Sequence, residues 1–148
     1  VGPANFEPYR KEFEFMDSNL PAEVRYRYSF APYFEPLLRA YQAADVVVSR
    51  AGASAIFELA ALGKPAVLVP LPGSAHDHQT VNAYAYAKTG AAVVIEQENF
   101  LPTLVINELM RILTNPERIA SMQEAAKRFA TPDAARPIAG DILTVAGM

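Results

Sequence analysis

The chain has 148 residues, 51% of them hydrophobic and 20% charged, which is the size and make-up of one globular domain. Thirteen basic residues against 16 acidic ones give a net charge of -3, which excludes the basic footprint of a nucleic-acid binder. Cysteine is absent, which excludes disulfide frameworks and thiolate metal sites, and no apolar run approaches the ~20 residues of a membrane-spanning helix.

The chain opens at Val1 on a polar, proline-containing stretch with neither an initiator Met nor a signal-peptide pattern, so it reads as part of a longer protein. Pro3 to Pro8 and Asn19 to Pro21 are expected as linker-like segments. In Val24 to Tyr28, Val24, Tyr26 and Tyr28 alternate with Arg25 and Arg27, the pattern of a more exposed strand. Phe34 to Ala44 predicts a helix with Phe34, Leu37, Leu38 and Tyr41 on one stripe. Asp45 to Ser49, Ala66 to Val69 and Ala91 to Ile95 are uninterrupted apolar runs bounded by turn residues, as expected of parallel strands covered on both faces. Between them, Ser54 to Leu62 predicts a helix with Ile56, Leu59, Ala60 and Leu62 inward, stopped by Gly63. His78 to Lys88 predicts another, closed by Gly90. Leu101 to Leu113 follows, with Leu104, Val105, Leu109 and Ile112 apolar. Asn115 and Pro116 read as the N-cap and first position of the next helix. The last helix is expected over Asp133 to Val145. Strands alternating with helices predict an α/β fold, a Rossmann-like doubly wound parallel sheet with right-handed crossovers.

Two loops carry the candidate chemistry. In Ser49-Arg-Ala-Gly-Ala-Ser54, small residues after a buried strand let a ligand approach the backbone, and the next helix points free N–H groups outward. A diphosphate would be held there without a metal; a plain strand-to-helix turn built on Gly52 meets the same pattern. Glu58, about one turn further on, offers either a dipole partner on a solvated face or a two-oxygen acceptor for a vicinal diol. His76, Asp77, His78, Gln79 and Asn82 form the second cluster. His78 and Asn82 share a helix face, and amides suit sugar hydroxyls because they combine donor and acceptor. A cap by Asp77 with polar surface around it is the alternative. No metal-ligand spacing is present, and neither a Ser–His–Asp arrangement nor a pair of opposed carboxylates can be assembled.

At these residues the chain resembles the C-terminal, donor-binding half of the MurG-type glycosyltransferases. The matching runs are Ala44-Asp-Val-Val-Val-Ser-Arg-Ala-Gly-Ala-Ser54, Glu58-Leu-Ala-Ala-Leu-Gly-Lys-Pro65, Val69-Pro-Leu-Pro72, Asp77-His-Gln-Thr-Val-Asn-Ala83 and Thr131-Pro-Asp-Ala-Ala135. The resemblance spans about Phe30 to the C-terminus, and residues 1 to 29 match only loosely. It implies the C-terminal half of a GT-B enzyme, with residues 1–148 forming part of the nucleotide-sugar-binding domain. The N-terminal acceptor domain, the first strand of this domain and its glycine-rich loop would lie outside the chain.

The resemblance implies an inverting, metal-independent hexosyltransferase without a cofactor. It would move N-acetylglucosamine from UDP-GlcNAc to a lipid-linked MurNAc-pentapeptide in peptidoglycan biosynthesis, and so serve cell-wall biogenesis, cell shape and division. Glu58 would bind the ribose hydroxyls. His78, Gln79 and Asn82 would face the sugar ring, and Gly52, Ala53 and Ser54 would lie against the diphosphate. Tyr33, Phe34 and Leu37 fall where the family's uracil pocket lies. Ala55 stands where many relatives carry a hydroxyl. No catalytic residue is expected in this segment, which alone would be inactive. The whole protein would sit in the cytoplasm, peripheral on the cytoplasmic face of the cell membrane, and take its lipid-linked acceptor through the other domain. The alternatives are a free-standing binding subunit that needs a separate acceptor-binding partner, and a sugar-nucleotide epimerase of similar architecture.

Overall fold

The computed structural model describes residues 3–18, 31–74 and 77–147. The expected strand Val24 to Tyr28, the segment Asn19 to Pro21 and His76 lie outside the described residues. The chain divides into two compact units, Val1–Ala40 and Tyr41–Met148.

In the first unit, helix α1 (Pro3–Ser18) occupies the stretch where a linker was expected. The two prolines suggested a break. Pro3, however, stands at the first helical position, where its missing N–H forfeits nothing, and Pro8 forfeits a single intrahelical bond. Arg10 then pairs with Glu7 at 3.1 Å and Glu14 at 3.2 Å, one turn to either side. Such exposed pairs each contribute only a few tenths of a kcal/mol, roughly, but all favour the helix.

Helix α2 (Leu37–Ala43) begins three residues later than its apolar stripe suggested. Pro36 pushes the residue before it out of helical geometry, and its carbonyl accepts from Arg39 N at 3.0 Å to start the first turn.

The second unit holds strands β1 (Val47–Ser49), β2 (Ala66–Leu68) and β3 (Ala92–Val94). They pair in parallel in the order β1-β2-β3, with Val48 opposite Val67 and Val67 opposite Val93. Hydrogen bonds such as Val69 N to Ser49 O (2.8 Å) and Ile95 N to Leu68 O (2.9 Å) continue the ladder past these bounds. The crossovers are α3 (Ala53–Ala61) and α4 (His78–Ala87); α5 (Pro102–Leu113), α6 (Pro116–Phe129) and α7 (Ala135–Val145) follow β3.

Alternation within β2 separates two cores. Ala66 and Leu68 join Ile56, Leu59, Ala83 and Tyr86 beneath α3 and α4, whereas Val67 joins Ile95, Ile112 and Met122 beneath α5 and α6. Because both faces are covered, all three β2 residues are fully buried, which explains the uninterrupted apolar run. Helix α6 lends Ala125 and Ala126 to the first core and Met122 to the second. It also abuts the turns that precede β2 and β3: a Cβ placed on Gly63 would lie 2.9 Å from Lys127 Cε, and one on Gly90 3.8 Å from Ala125 Cβ. Thus α6 closes the N-terminal end of the strands, and the loops at their C-terminal end remain uncovered by it.

Candidate functional site

The loops that leave β1 and β2 meet at that C-terminal end. Arg50 ties them together by donating from its guanidinium to the carbonyls of Val69 (3.3 Å) and Pro70 (3.4 Å). Ala51 is buried beneath the turn. Gly52 follows as the N-cap of α3, with φ -67° and ψ 145°. This is ordinary extended backbone that any residue adopts, and a Cβ there would meet nothing within 4 Å among the described residues. The turn geometry therefore does not require glycine at 52, contrary to the reading of a plain turn built on it.

No side chain caps α3, and its first intrahelical bond runs from Ile56 N to Gly52 O at 3.1 Å. The N–H groups of Ala53, Ser54 and Ala55 stand ahead of that bond at the positive end of the helix, and the first two residues are exposed. Glu58 projects from the next turn, four residues after Ser54 and thus on the same side, and it is also exposed. Tyr41 lies beside it. Burial and the Glu58 carboxylate together push the Tyr41 hydroxyl above its ordinary range, against the opposing effect of a hydrogen bond with Ser49.

The second loop is fixed by its own amides. Gln79 Oε1 accepts from Leu71 N at 3.1 Å, and Gln79 N donates to Ser74 Oγ at 3.3 Å. Asn82 Nδ2 donates to the Ala51 carbonyl at 3.4 Å and so reaches across to the glycine turn. Asp77 occupies the N-cap position of α4 but makes no capping bond; its backbone is left-handed, with φ 51°. The alternative reading of Asp77 as a cap is thereby corrected. A left-handed cap residue does not bring its carboxylate onto the next N–H groups. His78 opens α4 and is exposed.

The site residues of the second unit therefore form one constellation: Gly52, Ala53 and Ser54 at the helix mouth, Glu58 a turn away, Gln79 pinning the second loop, and Asn82 linking the two loops. Tyr33, Phe34 and Leu37 belong to the first unit and are exposed, Tyr33 most of all at 62%. Reading the sequence missed two members. Tyr41 was taken only as part of an apolar stripe, and Lys64 was passed over although its Nζ donates to the carbonyls of Gln42 (2.8 Å) and Ala44 (2.9 Å). A lysine directly after the glycine that ends α3 was the available signal for the second.

Other concavities offer less chemistry. A cavity of about 260 Å³ is lined by Val48, Ser49, Arg50, Val69, Gln97 and Phe100. A wider and more open hollow, about 720 Å³, lies at the α5–α6 junction around Arg111, Asn115 and Arg118. There the Arg118 guanidinium is already engaged with Glu108 at 2.6 Å. Among the described residues, no three His, Asp or Glu side chains gather as a metal site, and no helix is long and apolar enough to cross a membrane.

The model of the glycosyltransferase family 28 C-terminal domain matches the chain over residues 1–138. The chain belongs to this family. A UDP-N-acetylglucosamine--N-acetylmuramyl-(pentapeptide) pyrophosphoryl-undecaprenol N-acetylglucosamine transferase of Stutzerimonas stutzeri is 39% identical over 135 residues. That alignment covers 91% of this chain and 36% of the relative. The enzyme of the same name from Anaeromyxobacter is 46% identical over 114 residues, 72% of this chain and 30% of its own. This family 28 domain thus spans about a third of the length of the curated relatives it matches. Among solved structures, MurG of Acinetobacter baumannii superposes with a TM-score of 0.78 at 32% identity, over 97% of this chain and 41% of that one. The glycosyltransferase VinC, in complex with dTDP, shares the fold at a TM-score of 0.68 and 19% identity, covering 92% of this chain and 32% of its own. The domain is accordingly the α/β, Rossmann-like C-terminal half of a GT-B glycosyltransferase.

Proposed function

We propose that this domain binds the donor UDP-N-acetylglucosamine for an inverting, metal-independent transfer to a lipid-linked MurNAc-pentapeptide, the reaction named for its curated relatives. Gly52 carries the reading. Neither its backbone nor its neighbours require glycine, and it stands at an uncapped helix mouth. A ligand that must approach the backbone closely supplies the missing reason.

The diphosphate lies against the N–H groups of Ala53 and Ser54, where the helix dipole stabilises charge as UDP departs. Glu58 accepts from the ribose diol, its two oxygens matching two hydroxyls. Gln79 engages its carbonyl on Leu71 and keeps its NH₂ for the sugar, while Asn82 engages its NH₂ on Ala51 and keeps its carbonyl. One oriented donor and one oriented acceptor therefore face the hexosamine, beside His78. Tyr33, Phe34 and Leu37 receive the uracil. The acceptor and the base that deprotonates it belong to the rest of the protein, which works on the cytoplasmic face of the membrane as a peripheral enzyme of cell-wall synthesis.

The test uses the complete protein with UDP-GlcNAc and the lipid acceptor. Glu58→Gln keeps the fold and lowers kcat/KM roughly ten- to a hundredfold, the loss of one charge-assisted contact. Gly52→Ala stays within about 1 kcal/mol of the parent's stability yet raises KM for the donor. Unchanged kinetics in both variants would return Glu58 to a solvated face and Gly52 to an incidental turn residue.

A further inference from the structure

We propose that the cavity beside Arg50 is a second subsite, which takes the phosphorylated N-acetyl sugar of the acceptor. This domain would then add a contact to a substrate otherwise held by the rest of the protein. The inference rests on the transferase reading above. The cavity measures about 260 Å³ and is lined by Val48, Ser49, Arg50, Val69, Gln97 and Phe100. Pockets for drug-sized ligands span roughly 300–1,000 Å³, so this one suits a single ring. None of its lining residues is among those placed against the donor. Side chains alternate along β1: Val46 joins the core beneath α5 and α6, and Val47 the core beneath α3 and α4. Val48, and with it the cavity, therefore lies on the face of Val46, across the sheet from the helix that carries Glu58.

Three groups of the lining suit different parts of one ligand. Both bonds from the Arg50 side chain leave from Nη1, toward the carbonyls of Val69 and Pro70, so Nη2 and Nε have no partner among the described residues. They suit a phosphoryl oxygen. The nearby Glu96 carboxylate is engaged elsewhere, accepting from the Tyr84 hydroxyl of α4 at 2.6 Å. Gln97 Oε1 is buried with no hydrogen-bond partner among the described residues. An acceptor left in that state is unfavourable, and a sugar hydroxyl or acetamido N–H that meets it as the side chain turns toward the cavity supplies the donor. Phe100 and Val48 are apolar yet 42% and 41% exposed. The Phe100 ring offers a flat apolar surface to the C–H face of a pyranose, the mixture of aromatic and sparse polar groups usual in ligand pockets. The acceptor of the proposed reaction, an N-acetylmuramyl pyrophosphoryl lipid, brings all three partners. The donor carries similar groups, but its seat is the glycine turn on the other side of the sheet.

The experiment measures initial rates of the complete protein, with the lipid-linked acceptor and UDP-GlcNAc varied in turn, for Phe100→Ala, Gln97→Leu and Val48→Phe. The first removes the flat surface, the second the unpartnered oxygen, and the third fills the cavity from β1. Each should raise KM for the acceptor roughly three- to tenfold while leaving KM for UDP-GlcNAc and the affinity for UDP unchanged. Gln97→Leu should not lower the thermal midpoint, since the oxygen it deletes bonds to nothing among the described residues. A rise in KM for UDP-GlcNAc instead would give the cavity to the donor, and no change in either KM would leave it without a ligand; both overturn the inference. If Phe100→Ala or Gln97→Leu fails to fold, Val48→Phe, at an exposed position, decides alone. Glu58→Gln tests the donor reading separately. Should it leave donor kinetics unchanged while the three variants raise KM for the acceptor, the donor placement falls and this subsite stands.

Discussion

Tyr86 shows how a single residue can set limits on stability without touching the site. It is fully buried and meets Phe129 edge-on, ring centroids 5.0 Å apart, yet its hydroxyl finds no hydrogen-bond partner among the described residues. Burial pushes its pKa up to about 12 from 10.0. The folded state therefore holds the proton more tightly than the unfolded one. The associated stability is fully present below pH 10 and is lost as pH rises through 10 toward 12, by at most about 3 kcal/mol. Tyr86→Phe should keep the ring packing and remove an unsatisfied group, leaving the protein equally stable or up to about 1 kcal/mol more stable at pH 7. Urea unfolding between pH 9 and about 12 should show a shallower alkaline decline in the variant than in the parent. A clear loss at neutral pH would mean that the hydroxyl has a partner. At this scale Glu58 and Gly52 stood out in the sequence, one as an isolated carboxylate and the other in a run of small residues. The bonds of Gln79 to Leu71 and of Asn82 to Ala51 did not, since they join loops 8 and 31 residues apart in the chain.

Among the elements, the helix ends carry the most legible information. Asn115 caps α6 by accepting from Arg118 N at 3.0 Å, with Pro116 at the first helical position, as the Asn-Pro pair announced. Gly63 ends α3 with φ +62°, the left-handed conformation that favours glycine. Gly63→Ala should cost about 1–2 kcal/mol through that backbone alone. The added Cβ would also meet the Lys127 side chain at Cε (2.9 Å) and Cγ (3.0 Å), which must shift to admit it. Chemical denaturation checks this, and an unchanged midpoint would contradict it. The three parallel strands were legible because burial on both faces makes them continuous apolar runs. Helix α1 was not, since its two prolines argued for a break while the support, Arg10 between Glu7 and Glu14, lies on a polar face with no core periodicity to reveal it. The late start of α2 has the same origin in Pro36, which outweighs the apolar stripe.

For the whole molecule, the division of labour follows from which end of the sheet is covered. Helix α6 seals the end where strands enter, packing on α3 and α5 and against the Gly63 and Gly90 turns. The other end presents the helix mouth, Glu58 and the amide-bridged loops, which is where open α/β sheets bind ligands. Nothing in composition or periodicity distinguishes the two ends; the strand order and the return of α6 do. The donor proposed above should therefore occupy one defined region, and weakly in this chain alone, which spans about a third of the length of its curated relatives. The most direct measurement is an NMR titration of the isotopically labelled 148-residue chain with UDP. Amides of Gly52, Ala53, Ser54 and Glu58 should shift along a saturating curve with a Kd in the high-micromolar to millimolar range, about -4 to -5 kcal/mol. Shifts centred instead on Arg111, Asn115 and Arg118, or none that saturate, would contradict the placement of the nucleotide at the glycine turn.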